Sequence, residues 1–216
     1  MYNEDSSMDP GFSAAKTAMI LDWIGSGKKV LDVGCYDGRD SERIMNNNNE
    51  VYGIEIMPAA AAEAERRGIK VSAIDLEKDS WPYQPDFFDG VVAGDIIEHM
   101  VDTDRFLTNI HRCLKPGGLL IVATPNLASF GRRLMLLFGR NPFIEVSSQA
   151  EVNHFPPVGH VKYFVKKSLV DLLEYYGFAV DTVTTDGLHL FFFTSLLLGK
   201  LFPSFGWRFI VKAHKR

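Results

Sequence analysis

Apolar residues gather along this chain in short, nearly unbroken runs, at 30–33, 51–54, 71–74, 88–93 and 119–123. Runs without polar alternation predict strands buried on both faces, and so a parallel sheet. Between them the spacing turns helical: residues 41–45, the alanine-rich 58–67 with Pro58 at its start, and 104–114 ahead of Pro116-Gly117-Gly118. An opening helix carries Ala14, Ala15, Ala18, Met19, Leu21 and Ile24 and stops at Gly25-Ser26-Gly27. Strand and helix alternate, which is the doubly wound α/β pattern. After Pro125-Asn126 about forty residues pass before the next helix, 167–176, and so long a connection reads as a cap over a site. Two more strands are expected at 178–184 and 207–213, on either side of an apolar stretch with three consecutive phenylalanines and three consecutive leucines.

At 216 residues the chain just exceeds the roughly 100–200 of a typical domain. One domain is expected, with a cofactor-binding half over 1–126, a cap over 127–166 and a C-terminal helix with strands over 167–216. Apolar residues at 46% and charged residues at 23% suit a globular core, and a net charge of −4 gives no basic field to hold nucleic acid. Cys35 and Cys113 lack metal-type spacing, so reduced thiols and a cytoplasmic setting are expected. Residues 1–10 are acidic and polar and read as a leader without signal-peptide character. The apolar stretch 188–202 falls short of the ~20 residues that a membrane span needs and carries Lys200. Three readings of 188–205 stay open: peripheral membrane contact, a homodimer interface, or a buried helix.

Chemistry concentrates at the ends of the predicted strands. The first runs through Val30-Leu31-Asp32-Val33 into Gly34-Cys35-Tyr36-Asp37-Gly38, where missing side chains let a ligand approach the backbone. Glu55 ends the second strand, where a carboxylate can accept both hydroxyls of a ribose. This pair alone would also fit a nicotinamide-dependent oxidoreductase, but the Gly-x-Gly-x-x-Gly signature of such an enzyme is absent. Asp75-Leu76 follows the third strand, Gly94-Asp95-Ile96-Ile97-Glu98-His99 closes the fourth, and Leu114-Lys115-Pro116-Gly117-Gly118 leads into the fifth.

Over residues 30–126 these segments together resemble the class I S-adenosylmethionine-dependent methyltransferases, in the small-molecule branch that holds quinone-biosynthesis O-methyltransferases. The resemblance implies a Rossmann-like, mostly parallel seven-stranded sheet with helices on both faces, a cap after the fifth strand, and a last strand inserted antiparallel. It implies S-adenosyl-L-methionine as cofactor, with Asp32, Gly34, Cys35 and Gly38 around its methionine part. Glu55 would take the ribose, Asp75 and Leu76 the adenine, and Gly94, Asp95 and Ile96 would lie near the transferred methyl. One departure stands out: Tyr36 occupies the place of the family's middle glycine and would narrow the turn.

Each position has a plainer alternative. Asp32 could brace the loop through backbone amides, and Asp75 could cap a turn. His99, pointing toward the acceptor, could remove a proton from a hydroxyl, or it could pair with neighbours. His160 is a second candidate base; with His154 it flanks 155–159, but two histidines do not make a metal site and no metal is expected. Arg132, Arg133 and Arg140 would solvate a helix face beside 134–138, a basic amphipathic segment suited to an anionic or lipid-bearing acceptor. The expectation is methyl transfer to a small-molecule or lipid-like acceptor, at oxygen; its rivals are the oxidoreductase and a membrane-peripheral cofactor-binding protein without catalysis.

Overall fold

The computed structural model describes residues 10–143, 159–190 and 193–216. Its centre is a seven-stranded sheet in the order β3-β2-β1-β4-β5-β9-β6. The strands are β1 (Lys29–Val33), β2 (Glu50–Ile54), β3 (Lys70–Ser72), β4 (Phe88–Gly94), β5 (Leu114–Pro125), β6 (Phe178–Thr184) and β9 (Arg208–Lys215). Two more, β7 (Leu188–Leu190) and β8 (Phe193–Ser195), form a separate hairpin. All ladders among β1 to β5 are parallel, whereas β9 lies antiparallel between β5 and β6.

The pleat sorts the apolar runs to two faces. Val30, Val51, Val92, Ile121 and Ile210 pack with Ile20 and Ile24 of α1 (Pro10–Ile24), Ile44 of α2 (Arg39–Asn46) and Ala64 of α3 (Pro58–Arg66). Leu31, Val91, Leu120, Val122 and Val211 pack on the other face with Phe106, Leu107 and Ile110 of α4 (Thr103–Cys113) and Leu169 and Leu173 of α6 (Lys166–Tyr175). The sheet is therefore covered on both sides, as its unalternating strands require.

Three sequence expectations change. Pro116-Gly117-Gly118 does not separate helix from strand but lies inside β5, whose ladder to β4 is irregular between Phe88 and Gly90. The cap region contains a helix, α5 (Phe130–Leu137), and Arg132 on it does not solvate a surface. It is only 2% exposed, with its guanidinium 5.2 Å from the Trp207 ring, because an aromatic face lets a cation leave water at reduced cost. The apolar stretch divides into the β7–β8 hairpin and α7 (Leu196–Leu201) rather than forming one helix. No described helix is long and apolar enough to cross a membrane.

Candidate active site

The strand order reverses between β1 and β4, the place where open α/β sheets bind ligands beyond their carboxyl ends. A cavity of about 350 Å³ opens there. Asp32, Gly34, Cys35 and Tyr36 line it from β1, Val92 and Gly94 from β4, and Lys16 and Thr17 from α1.

The turn after β1 holds its shape through backbone conformation. Gly34 and Gly38 have φ of 76° and 78°, and Tyr36 between them has φ of 48°. Tyr36 thus adopts the left-handed geometry that a glycine would take without strain. The tyrosine replaces the expected glycine while the turn keeps a glycine's path. A Cβ on Gly34 would come within 3.0 Å of Ile96 Cδ1, and one on Gly38 within 2.8 Å of Ala64 Cβ. Gly34 therefore allows β1 to meet the segment after β4, and Gly38 allows α2 to pack on α3.

The predicted acids sit around this turn in different roles. Asp32 is buried, accepts from the Ser41 hydroxyl at 2.5 Å, and is pushed by burial up to about 6. Its brace is a side chain, not the loop amides. Glu55 accepts from the Tyr36 N–H at 3.0 Å and the Met57 N–H at 2.8 Å, fixing the turn to the end of β2. Asp75 accepts from the N–H groups of Glu77 and Lys78 and pairs with the Lys78 ammonium, which together hold it below the usual carboxylate range. Cys35 is buried, and burial raises its thiol. Of the predicted cofactor residues, Asp32, Gly34, Cys35 and Gly94 line the cavity; Gly38, Glu55, Asp75, Leu76, Asp95 and Ile96 do not.

Asp95 begins the segment after β4 at φ of 55° and anchors a charge network. Lys16 Nζ donates to its Oδ2 at 3.0 Å, and Arg208 Nε lies 2.9 Å from its Oδ1. Arg208 also reaches buried Asp186 at 3.5 Å. Burial alone would raise the Asp95 carboxyl, but Arg208 and then Lys16 keep it below its ordinary range. These cations come from 79 residues before and 113 after Asp95, so no local pattern could have revealed them.

The turn Ile97–His99 brings both candidate bases together. The Glu98 carbonyl accepts from the N–H groups of Val161 and Lys162, holding the 159–163 segment over this turn. The rings of His99 and His160 are thereby 4.8 Å apart, with Tyr163 6.3 Å from His160. His99 Nδ1 is 3.3 Å from the Gly159 carbonyl oxygen. The Glu98 side chain, which sequence reasoning did not single out, is fully enclosed. Its Oε2 accepts from Thr124 at 2.9 Å, and Oε1 lies 3.9 Å from His160 Nε2. Burial, reinforced by Asp95, pushes the Glu98 carboxyl up to about 7. Glu98, His99 and His160 offer ligand atoms that all lie within 4.8 Å of one another, a grouping the sequence did not single out as a metal site. His154 lies outside the described residues.

A family model described as a methyltransferase domain matches residues 8–183. The chain belongs to this methyltransferase family. Similar proteins include one named a probable S-adenosylmethionine-dependent methyltransferase from Mycolicibacterium smegmatis, 29% identical over 158 residues, covering 72% of this chain and 54% of that one. Another is a ubiquinone biosynthesis O-methyltransferase from Cereibacter sphaeroides, 32% identical over 104 residues, covering 46% of this chain and 42% of the relative. The chain spans about half the length of these relatives. Among solved structures, a methyltransferase from Thermotoga maritima shares the fold with a TM-score of 0.70 at 21% identity, covering 94% of this chain and 89% of that one. The Rossmann-like methyltransferase fold expected from the sequence is thus the fold present, and the nicotinamide reading gives way to it.

Proposed function

We propose that this methyltransferase chain transfers the methyl group of S-adenosyl-L-methionine to an oxygen of a small-molecule or lipid-like acceptor. The observation that carries the reading is the cavity at the β1–β4 switch point, walled by a left-handed turn and open where Gly94 has no side chain. Lys16, Asp32, Gly34, Cys35 and Gly38 would hold the cofactor's methionine part. Glu55 would take the ribose, Asp75 and Leu76 the adenine, and Gly94, Asp95 and Ile96 would lie toward the sulfonium. When bound, the cofactor supplies an electrophilic methyl group, so the acceptor's oxygen–carbon bond forms as the carbon–sulfur bond breaks and S-adenosylhomocysteine is released.

The remaining task falls to the side chains beyond β4. His99 or His160 accepts the proton that the acceptor hydroxyl gives up, the general-base role that a neutral imidazole nitrogen can fill. Glu98 acts as a positioning residue: its carbonyl holds the His160 segment, and its carboxylate stabilises the imidazolium at 3.9 Å. Aligning acceptor and donor while excluding water is worth ~7–11 kcal/mol in favourable cases. The O-methyltransferase name of the Cereibacter sphaeroides relative supports oxygen as the acceptor atom.

The test is incubation with methyl-labelled S-adenosylmethionine and a panel of catechols, phenols, carboxylic acids and amines. Label in a hydroxylated acceptor, reduced when His99 or His160 is replaced, supports the reading. Label only in amines would overturn oxygen as the acceptor.

A further inference from the structure

Residues 126–143 and 187–216 contain no aspartate or glutamate, although the whole chain is net acidic. The fold joins these two segments. The Phe130 and Phe205 rings are 6.4 Å apart, the Arg133 guanidinium sits 4.7 Å over the Phe205 ring, and Phe205 meets Phe202 edge-on at 6.5 Å. Leu136 and Leu137 stand three and four residues beyond Arg133, on the same side of α5. Leu136, Leu137 and Phe138 are 66%, 73% and 74% exposed, and Leu197, Leu201 and Phe202 are 69%, 62% and 52% exposed. Single exposed leucines are ordinary, but a cluster of this kind across adjoining elements marks an interaction surface.

Basic groups rim the cluster: Arg133, Arg140 and Lys200 are all exposed. Beside Arg133 a cavity of about 420 Å³ opens between α5, α6 and the turn before β9, lined by Arg133, Lys166, Lys167 and Ser204. Its one acid, Asp171, is already paired with Lys167. An apolar cluster rimmed by cations, with a cationic hollow at its edge, has the chemistry of a headgroup zone rather than of a protein interface core, where charge is depleted.

We infer that this face docks on an anionic phospholipid bilayer, with the leucines and phenylalanines entering the interface and the Arg133–Lys166–Lys167 hollow receiving a headgroup phosphate. Apolar burial and attraction to anionic lipid reinforce each other there. The surface differs from the 188–205 stretch expected from sequence: Leu188 is buried, and α5 supplies half of the exposed apolar groups. It does not depend on methyl transfer, since a chain without turnover would dock equally.

Flotation of the full chain tests it, using phosphatidylcholine vesicles and vesicles in which about a third of the lipid is phosphatidylglycerol. The chain is expected to float with the anionic vesicles and not with the neutral ones. The combined variants L137Q/F138Q/L201Q and R133Q/K166Q/K167Q should each lower the bound fraction at least ~10-fold while keeping the wild-type melting temperature. A chain that stays soluble with anionic vesicles, or an apolar variant that floats like wild type, overturns the inference. So does a wild-type dimer that L137Q/F138Q/L201Q converts to monomer, which would assign the face to a second copy. Inorganic phosphate bound at the hollow without vesicle binding would assign it to a soluble anion, with the same result.

Discussion

The main-chain N–H of Tyr36 donates to the Glu55 carboxylate across 3.0 Å, tying the turn after β1 to the end of β2. The same carboxylate holds the Met57 N–H, so Glu55 shapes this turn, and in the proposed function it would also accept from the ribose. Glu55→Ala should therefore lose stability as well as affinity, by ~1–3 kcal/mol for the orphaned N–H groups. Glu55→Gln, which keeps an acceptor oxygen, should fold nearly as well but bind S-adenosylhomocysteine at least ~10-fold more weakly. Calorimetry and melting curves on both variants separate the two roles; equal affinity across all three proteins would place the ribose elsewhere.

Replacing His99 with alanine should lower turnover of a hydroxylated acceptor by ~10²–10⁴ while leaving cofactor affinity intact. Steady-state rates and calorimetry measure the two separately. If His99→Ala matches wild type and His160→Ala does not, His160 is the base.

Glu98 makes stability depend on pH in a defined direction. Burial raises its carboxyl from 4.5 to about 7, so the folded state binds that proton more tightly than the unfolded chain does. The corresponding stability is fully present below the ordinary value and is lost as pH rises through the folded one. Asp32, raised by burial from 3.8 to about 6, acts in the same sense over a lower window. Glu98→Gln should flatten the fall in melting temperature between about pH 4.5 and 7 and raise it at pH 8 by a few degrees, for a gain of ~1–3 kcal/mol. An unchanged pH slope would mean that Glu98 is solvated in the folded state.

Arg208 neutralises two carboxylates, Asp95 and buried Asp186. Arg208→Met takes the cation from buried Asp186 and leaves Asp95 with Lys16 alone, and should cost ~3–5 kcal/mol in urea unfolding. Adding Asp186→Asn should recover part of that loss, because the two changes touch one interaction. Strictly additive losses would show that the network is not coupled.

The sheet was legible because its strands are buried on both faces: the apolar runs at 30–33, 51–54 and 88–93 fall within β1, β2 and β4. The run at 71–74 was only half a strand, since β3 ends at Ser72 on the sheet edge, where fewer ladder bonds hold it. The antiparallel insertion of β9 came from family resemblance alone; an apolar strand does not encode its direction. The turn at Gly34 to Gly38 was visible from its glycines, but that Tyr36 would follow a glycine's path was not, because the surrounding contacts impose that conformation. Long-range charge was least legible. Arg132 was expected to solvate a helix face, and only the folded chain shows it buried beside the Trp207 ring, with Lys16 and Arg208 both paired to Asp95.

The most direct test of cofactor binding at the β1–β4 crevice is the melting temperature of the intact chain with and without S-adenosylhomocysteine. At a hundredfold excess over the dissociation constant, a ligand selective for the folded state adds ~2.7 kcal/mol, enough to move the transition by several degrees. The expected result is such a shift in wild type, reduced in Glu55→Gln. A melting curve unchanged at millimolar S-adenosylhomocysteine would contradict cofactor binding at this crevice.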